Sequence, residues 1–327
     1  MAKTVHLSAT PDGIRRAAGI LRDGGLVAFP TETVYGLGGD ACSGAAVARI
    51  FAAKDRPAFN PLIAHVADLD MALSIAQFDG DALRLAGAFW PGPLTLVLPL
   101  RAEAGLSPLT TAGLCTVGLR VPDHANAQAL LAAFGGPVAA PSANPSGRIS
   151  PTEARHVVAG LSGRIEAILD DGPCVVGLES TIIGFDQAGR AQMLRPGGLP
   201  AEAIEACLGT PLSAPPTPSQ KPNAPGQLAS HYAPGARLRL EALDSREGEV
   251  LLGFGPHSGG TLNLSPAGDL IEAAANLFSC LHRLDAGDAK IIAVSPIPDH
   301  GLGRAINDRL RRAAAPRQAG QSANHKV

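Results

Sequence analysis

The chain has 327 residues, enough at roughly 150 per domain for two domains. Hydrophobic residues make up 46% and charged residues 17%, which excludes a disordered tail or a coiled coil. Lys plus Arg number 27 and Asp plus Glu 29, so any binding to a polyanion has to rest on a local patch. Aromatic residues are 4%, with one Trp, too few for a platform that stacks single-stranded bases.

The first half alternates helix and strand. Thr10-Pro11 starts a helix with Ile14, Ala18 and Leu21 on one stripe, ended by Gly24-Gly25. Residues 26–29 form a short apolar run that reads as a buried strand stopped by Pro30. A second helix carries Val47, Ile50 and Phe51 on one face. Further strands are expected at residues 62–66, 94–100, 116–121, 138–140 and 165–169. This interleaving predicts an α/β domain built on a twisted, open, partly parallel sheet, spanning residues 1–208.

Residues 210–226 hold six prolines in seventeen positions, which excludes a helix or a central strand. Residues 209–235 therefore read as an extended linker. A smaller α/β domain follows over residues 236–316, with strands at 238–242, 250–254 and 291–294. Its helices are expected from Ser265-Pro266, with Leu270, Ala274, Leu277, Leu281 and Leu284 as the stripe, and over residues 305–314. Residues 317–327 are a polar tail expected to be disordered.

The five cysteines are scattered, odd in number and never spaced Cys-x-x-Cys, so thiols in a reducing cytosol are expected. No apolar run approaches the roughly 18 residues a membrane span needs, and the N-terminus lacks a signal core. The expected location is cytoplasmic, without a membrane partner.

Four polar clusters interrupt the apolar pattern. Residues 30–38 (PTETVYGLG) follow a strand and place small hydroxyls and glycines where backbone amides can approach a ligand. Lys54 and Arg56, with Asn60, suit a polyphosphate that takes several charge-assisted donors. Arg120 lies in an apolar strand and needs an anion, either an internal carboxylate or that of a substrate. Residues 140–150 (APSANPSGRIS) form a loop of hydroxyls, an amide and an Arg at a strand end, suited to a phosphate. Glu179-Ser180-Thr181 and Arg195 add another hydroxyl pair and another cation. There is no G-x-x-x-x-G-K-[ST] loop, and no His or Cys grouping that suggests a metal.

Taken in order, PTETVYGLG (30–38), K-x-R-P-x-x-N-P-L (54–62) with His65, WPGPLTLVL (90–98), VGLRVP (117–122), PSANPSG (141–147), ESTI (179–182), LRPG (194–197), HYAP (231–234) and GLGRAINDRL (301–310) resemble the long form of the threonylcarbamoyl-AMP synthase family. The resemblance covers nearly the whole chain. It implies a YrdC-like catalytic domain, a linker and a small Rossmann-like domain. It also implies a reaction that joins L-threonine, bicarbonate or CO2, and ATP into threonylcarbamoyl-AMP and pyrophosphate. A separate transferase complex would then carry the threonylcarbamoyl group to adenosine 37 of tRNAs reading A-starting codons, with weak tRNA binding by this chain a secondary expectation.

By the same resemblance Thr33, His65, Arg120, the backbone of Ala140 and Ser180 hold threonine, with Arg120 on its carboxylate. Arg56, Asn60, Thr116, Ser142, Asn144, Ser150, Arg195 and Tyr232 line the ATP site. Lys54 and Arg56 stand beside the phosphates as catalytic cations, and Mg2+ is held mainly by the phosphates rather than by side chains. No dedicated general base is evident, and the linker is expected to act as a lid. A non-catalytic double-stranded-RNA-binding module is the alternative from another class. The carbamoyltransferase of hydrogenase maturation is a second, but its acylphosphatase-like and zinc-binding segments have no counterpart here.

Overall fold

The computed structural model describes residues 3–213, 231–256 and 259–316. By their contacts these group into two compact units, residues 3–146 with 150–213, and residues 147–149 with 231–316. Most of the linker and the whole polar tail lie outside the described residues, and with them the lid and the expected disorder.

In the first unit the chain runs β1 (Val5–Ser8), α1 (Pro11–Arg22), β2 (Val27–Phe29), β3 (Gly36–Asp40), α2 (Gly44–Lys54), β4 (Ile63–His65), α3 (Leu69–Ile75), α4 (Gly80–Phe89), β5 (Leu94–Pro99), α5 (Pro108–Thr111), β6 (Thr116–Arg120), α6 (Ala125–Phe134), β7 (Val138–Ala139), α7 (Ala154–Leu161), β8 (Ala167–Asp170), β9 (Thr181–Phe185), β10 (Ala191–Arg195) and α8 (Ala201–Leu208). Its strands form one mixed sheet in the order β1, β8, β2, β3, β7, β4, β6, β5, β9, β10. Parallel pairs (β1 with β8, β2 with β8, β4 with β6, β5 with β9) are mixed with antiparallel ones, three of which follow one another from β2 through β3 and β7 to β4 in the middle of the sheet.

Both faces of this sheet are covered, which is why β2 reads as an unbroken apolar run. Val27 and Phe29 point to one face, with Leu7, Ala17, Leu21, Leu130 and Leu131. Leu26 and Ala28 point to the other, with Leu37, Val47, Ile50 and Ala64. The first helix begins where the sequence predicts: Thr10 caps it by accepting from the Gly13 N–H at 3.2 Å, and Pro11 follows.

The second unit carries β11 (Arg237–Arg239), β12 (Glu249–Gly253), β13 (Leu262–Asn263), α9 (Leu270–Asp285), β14 (Ile291–Val294) and α10 (Leu302–Ala314). Its sheet is wholly parallel, in the order β11, β14, β12, β13. Two expected boundaries move. The strand expected at residues 238–242 ends at Arg239, and Glu241 takes a left-handed φ of 54° that no strand accommodates. The helix expected from Ser265 starts at Leu270, because Asp269 caps the Ile271 and Glu272 amides at 2.6 and 3.3 Å. Ser265 instead closes the preceding turn by accepting from Asp269 N–H at 2.9 Å.

Candidate active site

In the first unit the candidate residues fall into three connected groups, each positioned by the ends of short strands.

The first group surrounds Arg120, the last residue of β6, paired in register with His65 at the end of β4. Both side chains are buried, as is Glu32 from the turn after β2. The Arg120 guanidinium lies 2.7 Å from Glu32 Oε2, close in distance but poorly aligned as a hydrogen bond, and its Nε donates to the Gly92 carbonyl at 3.2 Å. The internal carboxylate that a strand Arg requires is therefore present. Glu32 Oε1 has no hydrogen-bond partner within the protein, and neither has His65 Nδ1. Thr33 is fully buried, its hydroxyl 2.7 Å from that of Thr31. The Ala140 amide donates to the Ile63 carbonyl at 3.0 Å, which leaves the Ala140 carbonyl as the group it can offer a ligand.

Burial, and after it the charge of Arg120, push the His65 imidazole down to about 3, against a weaker opposing bond to the Ile63 backbone. His65 is therefore neutral at physiological pH. Because its folded value lies below the unfolded 6.5, the unfolded chain takes up the proton first as pH falls. The stability present above pH 6.5 is lost progressively towards pH 3. Urea unfolding at pH 6.5 and 5.0 is expected to show a loss of about 1.6 kcal/mol from this group, the slope steepening towards about 1.4 kcal/mol per pH unit below pH 6.5. His65→Asn should flatten that part of the profile.

The second group is built on the loop after β7. Lys54, the last residue of α2, is 2% exposed and donates its amine to the Ser142 and Asn144 carbonyls. The Ser146 N–H returns a bond to the Lys54 carbonyl at 2.7 Å. Burial, then the charge of Arg56, holds the Lys54 amine well below the usual lysine range. Its amine thus fixes the loop after β7. Arg56 donates to the Pro61 carbonyl at 3.1 Å and the Asn60 carbonyl at 3.4 Å, fastening the 56–61 turn, and Asn60 Oδ1 is buried without a partner. Thr116 starts the five-residue strand that Arg120 ends, about 13 Å away along it, and is half-buried.

The third group joins β9 to β10. Arg195 donates through Nε and Nη2 to the Ser180 carbonyl, at 3.2 and 2.8 Å. The Ser180 hydroxyl lies 2.7 Å from that of Thr95. Ser150 donates to Glu179 Oε1 at 2.5 Å. Gly197 makes this approach feasible: a Cβ there would sit 2.4 Å from the Glu179 carbonyl oxygen and the Thr181 nitrogen, both immovable backbone.

Tyr232 belongs to the second unit, where it is 1% exposed. Its ring packs on Phe278 at 5.7 Å, with the Arg309 guanidinium 5.1 Å from its centroid. Within its own unit this ring is enclosed by an aromatic neighbour and a buried cation. Sequence reasoning also missed Glu32 and Thr95 as members of these groups. The available signal for Glu32 was a carboxylate directly after a fully buried strand, where an unpaired charge is rare.

Residues 19–197 match the Sua5–YciO–YrdC family, described as telomere recombination. Residues 199–315 match the threonylcarbamoyl-AMP synthase C-terminal domain. A threonylcarbamoyl-AMP synthase of Bacillus subtilis is 40% identical over 336 residues, covering 96% of this chain and 96% of the relative. The chain belongs to the threonylcarbamoyl-AMP synthase family. The crystal structure of Pyrococcus abyssi Sua5 complexed with L-threonine superposes with a TM-score of 0.86 at 38% identity, covering 95% of this chain and 97% of that one. Escherichia coli YciO matches with a TM-score of 0.54 at 25% identity, over 60% of this chain and 96% of that one. The family's two-part architecture is thus present from end to end.

Among the described residues no helix is long and apolar enough to cross a membrane. Among them, too, no group of three or more His, Cys, Asp or Glu side chains is arranged to hold a metal ion.

Proposed function

We infer that this chain is an L-threonylcarbamoyladenylate synthase, a nucleotidyl-transferring enzyme that uses ATP. The observation that carries this reading is end-to-end similarity to threonylcarbamoyl-AMP synthases across both domains. The chemistry has two steps. The threonine nitrogen bonds to the carbon of CO2 and loses a proton, giving a carbamate. A carbamate oxygen then bonds to the α-phosphorus as the bond to the bridging oxygen breaks, and pyrophosphate leaves.

In this reading Arg120 takes the threonine carboxylate, while Thr33, neutral His65, the Ala140 carbonyl and Ser180 meet its polar atoms. Arg56, Asn60, Thr116, Ser142, Asn144, Ser150 and Arg195 line the nucleotide side. Lys54 contributes by holding the Ser142–Asn144 carbonyls, so that the loop is preorganised before ATP arrives. The donor set offers Mg2+ no cage of carboxylates among the described residues, which suits an ion carried in on the triphosphate. Catalysis then rests on positioning and charge stabilisation. The product would feed a separate transferase that modifies adenosine 37 of tRNA, in the cytoplasm.

The test is pyrophosphate release from ATP with and without L-threonine and bicarbonate. Release that requires both supports the reading. Threonine-independent release would mean a different acceptor, and no release would favour the RNA-binding alternative.

A further inference from the structure

The Glu32 carboxylate is 4% exposed, yet neither of its oxygens has an aligned hydrogen-bond donor. Buried carboxylates are normally saturated with donors, so an under-coordinated one calls for a partner the folded chain does not supply. Its neighbour Arg120 is incomplete in the complementary sense. Nε is engaged by Gly92, while Nη2 faces Glu32 without an aligned hydrogen bond. An acceptor lacking donors and a donor lacking acceptors thus stand 2.7 Å apart. By standard bond lengths, the ammonium nitrogen and nearer carboxylate oxygen of an α-amino acid are also about 2.7 Å apart. The pair is the opposite-charge complement of that zwitterion. His65, in register with Arg120, adds an unpartnered Nδ1 that suits a side-chain hydroxyl.

We propose that Glu32 is a binding residue for the α-amino group of the substrate, accepting its N–H bonds while Arg120 holds the carboxylate. This rests on the threonine reading above and adds to it a named site for the amine. It also gives the site a reason to prefer an amino acid over a hydroxy acid, since an acid lacking the amine leaves Glu32 buried and unsatisfied.

The experiment is calorimetric titration of the full-length protein, wild type and Glu32→Gln, with L-threonine and with 3-hydroxybutyrate, which keeps the carboxylate and hydroxyl but lacks the amine. Wild type is expected to bind threonine about 10- to 100-fold more tightly than 3-hydroxybutyrate. Glu32→Gln is expected to lose most of that ratio by weakening threonine alone. An equal loss for both ligands would overturn the proposal, because Glu32 would then act only by holding Arg120. So would an unchanged ratio. Where Glu32→Gln does not fold, Glu32→Asp, which keeps the charge, and the wild-type ligand ratio decide the matter: a wild-type ratio near one sinks it. Absence of threonine binding to wild type, or pyrophosphate release without threonine, would instead overturn the functional reading beneath it.

Discussion

Arg120→Met is expected to lower unfolding stability by about 3–5 kcal/mol, because it leaves Glu32 as an uncompensated charge in a dry site. The same change should cut threonine-dependent pyrophosphate release by roughly 10²–10³-fold, the usual cost of losing one side of a desolvated charge pair. The two effects separate in the double variant Glu32→Leu with Arg120→Met. A buried ion pair exchanged for apolar side chains is often neutral or stabilising, so the double variant should regain most of the lost stability. Its activity should stay down, since both charged groups proposed to bind the amino acid are gone. Urea unfolding and steady-state turnover on the same preparations check the pair. A double variant that regained turnover would show that the ion pair is purely structural.

Lys54→Met is expected to be damaging for a different reason. The change keeps the stem but removes the amine that bonds the Ser142 and Asn144 carbonyls. The Ser142 carbonyl keeps the Asn144 N–H at 3.0 Å, so a loss of about 1–3 kcal/mol is expected. In a domain of this size that amounts to roughly 2–12 °C in Tm. The kinetic signature should be specific: a raised KM for ATP and a reduced kcat, with threonine affinity nearly unchanged. That follows because the loop bearing Ser142 and Asn144 loses its anchor while the Glu32–Arg120 pair does not. Lys54→Arg should not rescue it, since a planar guanidinium is too large for a fully enclosed site shaped to a compact amine. Equal weakening of threonine and ATP would show that Lys54 supports the whole unit rather than one loop.

Much of the local structure was legible from residue type alone. The Thr10-Pro11 start is decided within four residues of chain, by a side-chain oxygen and a proline with no N–H to satisfy. Residues 26–29 read correctly as a buried strand because both faces of the sheet are covered. Where two local signals competed, the nearer won: Ser265-Pro266 has the sequence of a helix start, but Asp269 lies next to the first turn and caps it directly. The mixed sheet order was not legible, since which strands become neighbours depends on contacts far apart in the chain.

The candidate site divides the same way. Clusters of hydroxyls, amides and cations among apolar strands marked where chemistry belongs, because polar groups of that kind are costly to bury without a purpose. What each side chain touches was settled only by folding. The sequence showed that Arg120 needs an anion, and tertiary structure supplied Glu32 from a turn 88 positions earlier in the chain. It likewise placed Lys54 on the carbonyls of a loop about 90 residues later and enclosed Tyr232 against Phe278 and Arg309. Residue type and spacing set the local conformation and the chemistry on offer. Pairing partners, burial and the orphaned oxygens of Glu32 arise from long-range packing, which no local pattern encodes.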